Sequence, residues 1–156
     1  MTHQDATVPD FITGQYVTNK AKGIRSFPYS TDPSVNPLTY ASLQDLGEVH
    51  DIGEVWANIL HNVYAALVTD RGFYADGRTD PTSSAGNVVF LHNFIDALSL
   101  QPCNPTFIQA RDAWLQADVN RYQGENQCTL WKAFASKGLG VNAGDYENDT
   151  TLPDEC

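Results

Sequence analysis

The sequence predicts a mainly α fold, a bundle of about four helices behind a loop-rich lead-in, and three observations carry that prediction. An apolar stripe of helical period runs from about Glu48 to Thr69. A second run, from Asn87 to Leu100, is apolar over most of its surface and is closed by Pro102. Before residue 45, Pro9, Gly14, Gly23, Pro28, Pro33 and Pro37 punctuate the chain too often for any long helix.

Size and composition bound what such a fold can do. A chain of 156 residues is long enough to bury one core. Its 42% hydrophobic content, with 7 Phe, 7 Tyr and 3 Trp, excludes a disordered segment. Nineteen acidic residues against nine basic ones give a net charge of -10. That balance excludes nucleic acid and anionic membrane as partners, because phosphate recognition needs clustered Lys and Arg. No apolar run approaches the roughly 18 residues of a membrane span.

Residues 1–45 form the loop-rich lead-in, in which Gly14-Gln15-Tyr16-Val17 suits one helical turn or a short strand. Residues 46–140 form the helical domain. In its first helix, Ile52, Val55, Trp56, Ile59, Leu60, Val63, Tyr64, Leu67 and Val68 recur in steps of three and one, the spacing of one helix face. A loop with Gly72, Gly77 and Pro81 follows. Val88, Val89, Phe90, Leu91, Phe94, Ile95 and Leu98 make the second helix apolar nearly all round, which predicts that it is buried. The third begins near Pro105, with Asn104 or Thr106 to cap it, and stops before Gly124. The fourth runs from about Gln127 to Lys137, with Gly138 suited to its C-terminal end. Trp56, Phe94 and Trp131 read as core. Residues 141–156 are an acidic, irregular tail.

Three cysteines are present, Cys103, Cys128 and Cys156. The first two flank the third helix, which predicts a Cys103–Cys128 disulfide closing its ends and leaves Cys156 over; three unrelated thiols are the alternative. Charged residues are sparse at 18%, and Asn148-Asp149-Thr150 is a glycosylation sequon with Asn148 as its acceptor, both features of extracellular proteins. The first six residues have neither the basic start nor the apolar stretch of a secretory leader, so the natural N-terminal part is expected to lie outside this chain.

Little chemistry is legible from the residues alone. His50 and Glu54 are four apart and share a helix face, a spacing open to a surface hydrogen-bonded pair or to two metal ligands. His61 and His92 lie elsewhere and read as packed or solvated side chains. The sequence contains no H-E-x-x-H pattern, no G-x-S-x-G elbow and no glycine-rich phosphate loop.

Several segments, however, resemble the fungalysin metalloendopeptidases, secreted fungal relatives of thermolysin. They are Gly23-Ile24-Arg25-Ser26-Phe27-Pro28-Tyr29-Ser30, Asn36-Pro37-Leu38-Thr39-Tyr40, Glu48-Val49-His50-Asp51-Ile52-Gly53-Glu54-Val55-Trp56, Gly86-Asn87-Val88-Val89-Phe90-Leu91-His92, Gln101-Pro102-Cys103-Asn104-Pro105 and Leu130-Trp131-Lys132-Ala133-Phe134. The resemblance implies the helical C-terminal subdomain of a thermolysin-like fold. It also assigns roles. His50 matches the histidine that donates to the oxyanion of the tetrahedral intermediate, Asp45 has the spacing of the carboxylate that holds that imidazole, and Arg25 matches an arginine that binds substrate carbonyl. The parent enzymes use zinc, bound by H-E-x-x-H and a downstream glutamate, and those residues are expected upstream of this region. The chain is therefore expected to bind no zinc and to be inactive alone. Its expected partners are the missing N-terminal half of the peptidase or a peptide substrate, with a tendency to self-associate through faces left uncovered. A stand-alone helical binding module descended from the same fold is the competing reading.

Overall fold

The computed structural model describes residues 7–156. Its elements, in order, are a one-turn helix α1 (Gln15–Thr18), a 3-10 turn (Tyr40–Gln44), and four longer helices: α2 (Val49–Arg71), α3 (Gly86–Leu100), α4 (Phe107–Tyr122) and α5 (Gln127–Ala135). The fold is mainly α, and the four long helices lie within two residues of their expected bounds. Helix α2 is the hub: α3 and α5 both pack on it, and α4 packs on α3 and α5. Val55, Ile59, Val63 and Leu67 recur every four residues along α2 and are fully buried. They meet Val89 and Ala97 of α3, Trp114 and Ala117 of α4, and Leu130 and Phe134 of α5 in one core. Trp56, Phe94 and Trp131, read as core from the sequence, are half-buried at its margin.

Local chemistry explains the helix ends. Thr106 caps α4 in a reciprocal pair with Gln109, so the cap lies at Thr106 and not at Asn104. Gly86 opens α3 where only hydrogen fits, since a Cβ there would stand 2.1 Å from the Leu67 carbonyl oxygen of α2. Beyond α5, Gly138 has φ 86°, and a Cβ would fall 2.0 Å from Asn148 Oδ1 of the tail.

Two expectations are corrected. Helix α3 is not buried all round: Val88, Val89, Asn93 and Ala97 face inward, while Leu91, Ile95 and Leu98 form an exposed outer row. Three such residues at steps of four and three mark the face opposite the core. The disulfide joins Cys128 to Cys156, with 5.2 Å between their Cα atoms, and Cys103 is the exposed free thiol. A helix of 16 residues separates its ends by about 24 Å. A disulfide spans less than about 7 Å, so flanking a helix holds Cys103 and Cys128 apart.

The tail is irregular in secondary structure yet firmly attached. Arg111, buried in α4, donates to the carbonyls of Leu139 and Gly140 and lies 4.9 Å from the Trp131 ring centre. Gly140 and Val141 donate to the Asp149 and Thr151 carbonyls at 2.8 and 3.0 Å. Asn148, the sequon residue, is exposed, and its amide bridges Thr39 Oγ1 and the Ala41 N–H at 2.9 Å each.

Candidate functional site around His50

The site is built on the N-terminal half of α2, and a polar stripe beside the core stripe organises it. Glu54, Asn58 and Asn62 are spaced four apart on α2 and are all buried. Glu54 accepts the N–H groups of Ser26 and Phe27 at 3.0 and 2.8 Å. Asn58 accepts the Ser30 N–H at 3.0 Å, and Asn62 donates to the Ser30 carbonyl at 3.1 Å. The stripe thereby lays residues 26–30 along the helix. Backbone groups taken out of water need such partners, and here the helix supplies them.

Arg25 stands immediately before that stretch. Its Nη1 donates to the His50 carbonyl at 3.3 Å, while its Nε is buried without a hydrogen-bond partner. Arg25 and His50, 25 positions apart in sequence, are therefore neighbours in the fold.

His50 sits in the first turn of α2 with its side chain 71% exposed. Its Nδ1 lies 2.7 Å from Glu48 Oε1. Glu48 is also the cap of α2, with Oε2 accepting the N–H groups of His50 at 2.8 Å and Asp51 at 3.2 Å. The hydrogen bond to the His50 ring, aided by those two amides, holds the Glu48 carboxyl below its ordinary value of 4.5. Asp45 is exposed at the end of the 3-10 turn, where its own N–H donates to the Ser42 carbonyl. The ring of His50 is thus paired with Glu48, and neither Asp45 nor Glu54 fills that place.

Glu54 is fully engaged by the lead-in, so the four-apart pair with His50 does not form. Among the described residues no group of three or more His, Cys, Asp or Glu is placed to hold a metal ion. The described residues do not by themselves make a zinc site. Sequence reasoning missed the role of Glu54, Asn58 and Asn62, although their four-residue spacing beside an apolar stripe was open to view.

Next to this turn lies an apolar cleft of about 520 Å³ between the 3-10 turn, the start of α2 and the start of α4. Tyr40, Leu46, Ile52, Phe107 and Tyr146 line it, with Asp145 as its carboxylate. No helix of the described residues is long and apolar enough to cross a membrane.

Comparison with known proteins identifies the family. The profile of Fungalysin metallopeptidase (M36) matches residues 1–143. Extracellular metalloproteinase 1 of Trichophyton rubrum is 42% identical over 160 residues, a match covering 97% of this chain and 25% of that protein. Extracellular metalloproteinase 1 of Arthroderma otae is 42% identical over 161 residues, covering 98% and 25%. Probable extracellular metalloproteinase 5 of Arthroderma benhamiae is 43% identical over 155 residues, covering 94% and 24%. The chain spans about a quarter of the length of the curated relatives it matches. With the profile covering most of its length, the chain belongs to the fungalysin metallopeptidase (M36) family.

Proposed function

We propose that this chain is the helical C-terminal part of an extracellular zinc metalloendopeptidase, supplying the substrate-facing His50 and Arg25. The observation that carries the reading is the hydrogen bond from Arg25 to the His50 carbonyl, which brings the two matched residues together. In this role the ring of His50 donates a hydrogen bond to the oxyanion that develops at the scissile carbonyl. A donor aimed at that charge lowers the barrier by about 3–4 kcal/mol in comparable sites. Arg25 spends one donor on His50 and keeps others for a substrate carbonyl. The family's zinc chemistry is not assembled from the described residues, so no hydrolytic step is assigned to them. The isolated chain is accordingly inactive, and its partner is the part of the peptidase that carries zinc.

Casein hydrolysis by the pure chain, with and without a chelator and alongside its zinc content, tests this directly. Neither cleavage nor stoichiometric zinc is expected from the chain alone, and cleavage is expected when the preceding portion of the peptidase is supplied in trans. Chelator-sensitive hydrolysis by the chain alone would overturn the reading. The apolar cleft beside Ile52 is the observation that favours the second reading, a peptide-binding module. Saturable peptide binding by the chain, abolished by filling the cleft through Ile52→Trp, would support it.

A further inference from the structure

We propose that Glu48 is the positioning residue for the His50 imidazole, an inference that rests on His50 being the oxyanion donor. The geometry is specific. Glu48 Oε2 is tied to two N–H groups in the first turn of α2, and this fixes the carboxylate before the ring is considered. Its other oxygen then faces His50 Nδ1 at 2.7 Å. An ionised carboxylate can only accept, so Nδ1 carries its proton. The ring is thereby oriented with Nε2 turned away from Glu48, and Nε2 is a donor when the ring holds both protons.

The other charged groups nearby are differently employed. Arg25 contacts the carbonyl of His50 and not its ring. Glu54 is occupied by Ser26 and Phe27. Asp51 gives its N–H to Glu48, and Asp45 lies back at the end of the 3-10 turn. One carboxylate therefore both caps the helix and aims the ring, so the site is ordered only when the first turn of α2 is.

The test reads the ring itself, so it does not depend on catalysis. In the ¹⁵N-labelled chain near neutral pH, long-range ¹H–¹⁵N spectra report which nitrogens of His50 are protonated. In Glu48→Gln the single carbonyl oxygen keeps the cap and turns the amide NH₂ toward Nδ1. The ring is then expected to shift from the Nδ1–H to the Nε2–H tautomer, because the Gln amide donates where the carboxylate accepted. In Glu48→Asp the shorter side chain still caps α2 but falls short of the ring, so the Nδ1 signal changes while the Asp51 and Ile52 amide signals hold. Asp45→Asn is expected to leave the ring signals as they are. Unchanged ring signals in both Glu48 variants, or a change on Asp45→Asn, would overturn the proposal. Inactivity of a reconstituted peptidase would instead count against the functional reading and leave these spectra untouched.

Discussion

The carboxylate of Glu54 accepts the backbone N–H of Phe27 at 2.8 Å and that of Ser26 at 3.0 Å, so one buried side chain of α2 sets the path of the strand of chain behind Arg25. Replacing Glu54 with Ala leaves two amides without acceptors and is expected to cost about 2–4 kcal/mol of stability. Glu54→Gln keeps one acceptor and should cost roughly half of that. Urea unfolding followed by circular dichroism measures both. An Ala variant as stable as the wild type would show that the contact does not hold the lead-in.

The Cys128–Cys156 bond ties the tail to the first turn of α5 across 28 positions. Cys156→Ser is expected to lower stability by about 3–4 kcal/mol under oxidising conditions. Cys103→Ser should change it little, since that thiol is exposed and unbonded. Thiol titration of the native chain should find one reactive group, and finding three would refute the pairing.

Acid should destabilise the fold in two stages. Burial, with the nearby Arg121 charge, pushes His92 below its ordinary 6.5. Its Nδ1 lies 2.6 Å from the Tyr122 hydroxyl. The Arg121 guanidinium holds Asp96 below the ordinary 3.8, and Thr151 does the same for Asp149. Each folded value lies below the unfolded one, so the unfolded chain binds more protons and stability falls as pH falls. The first stage begins below about 6.5 as the unfolded histidine charges, and the second follows near the carboxylate range. His92→Asn should flatten the first stage in a series of melts from pH 7.5 to 4.5. A first stage that survives the substitution would assign it elsewhere.

The outer row of α3, Leu91, Ile95 and Leu98, predicts self-association of the chain at high concentration. Light scattering over a concentration series should show a rising mean mass, reduced by Ile95→Lys. A mass that stays monomeric throughout would remove this expectation.

Which parts of this molecule could be read in advance follows from the range of the interactions involved. Helix α2 announced itself because Val55, Ile59, Val63 and Leu67 repeat within a few residues, and a local period survives in any one-dimensional reading. Thr106 could be named as a cap for the same reason. The Cys128–Cys156 bond could not, because it depends on the tail folding back through Arg111 and Asn148, contacts set by residues 28 or more positions away from their partners. Helix α3 misled because apolar content all round is consistent with burial, while Leu91, Ile95 and Leu98 face away from the core. At the site, family resemblance supplied His50, Arg25 and Asp45, while in the fold the ring is paired with Glu48. Four carboxylates, Asp45, Glu48, Asp51 and Glu54, lie within five positions of His50, and only the cap geometry singles out Glu48.

The ladder of Glu54, Asn58 and Asn62 grips main-chain atoms of its guest, never side chains. A grip of that kind is blind to spelling. Residue 26 is exposed and can drift among many amino acids without moving the arginine beside it. A single exchange at one of the three rungs on α2 loosens the whole strap. Tolerance and vulnerability are thus divided between two segments that touch along their length, and the site's history of change should be sought on the side that is held.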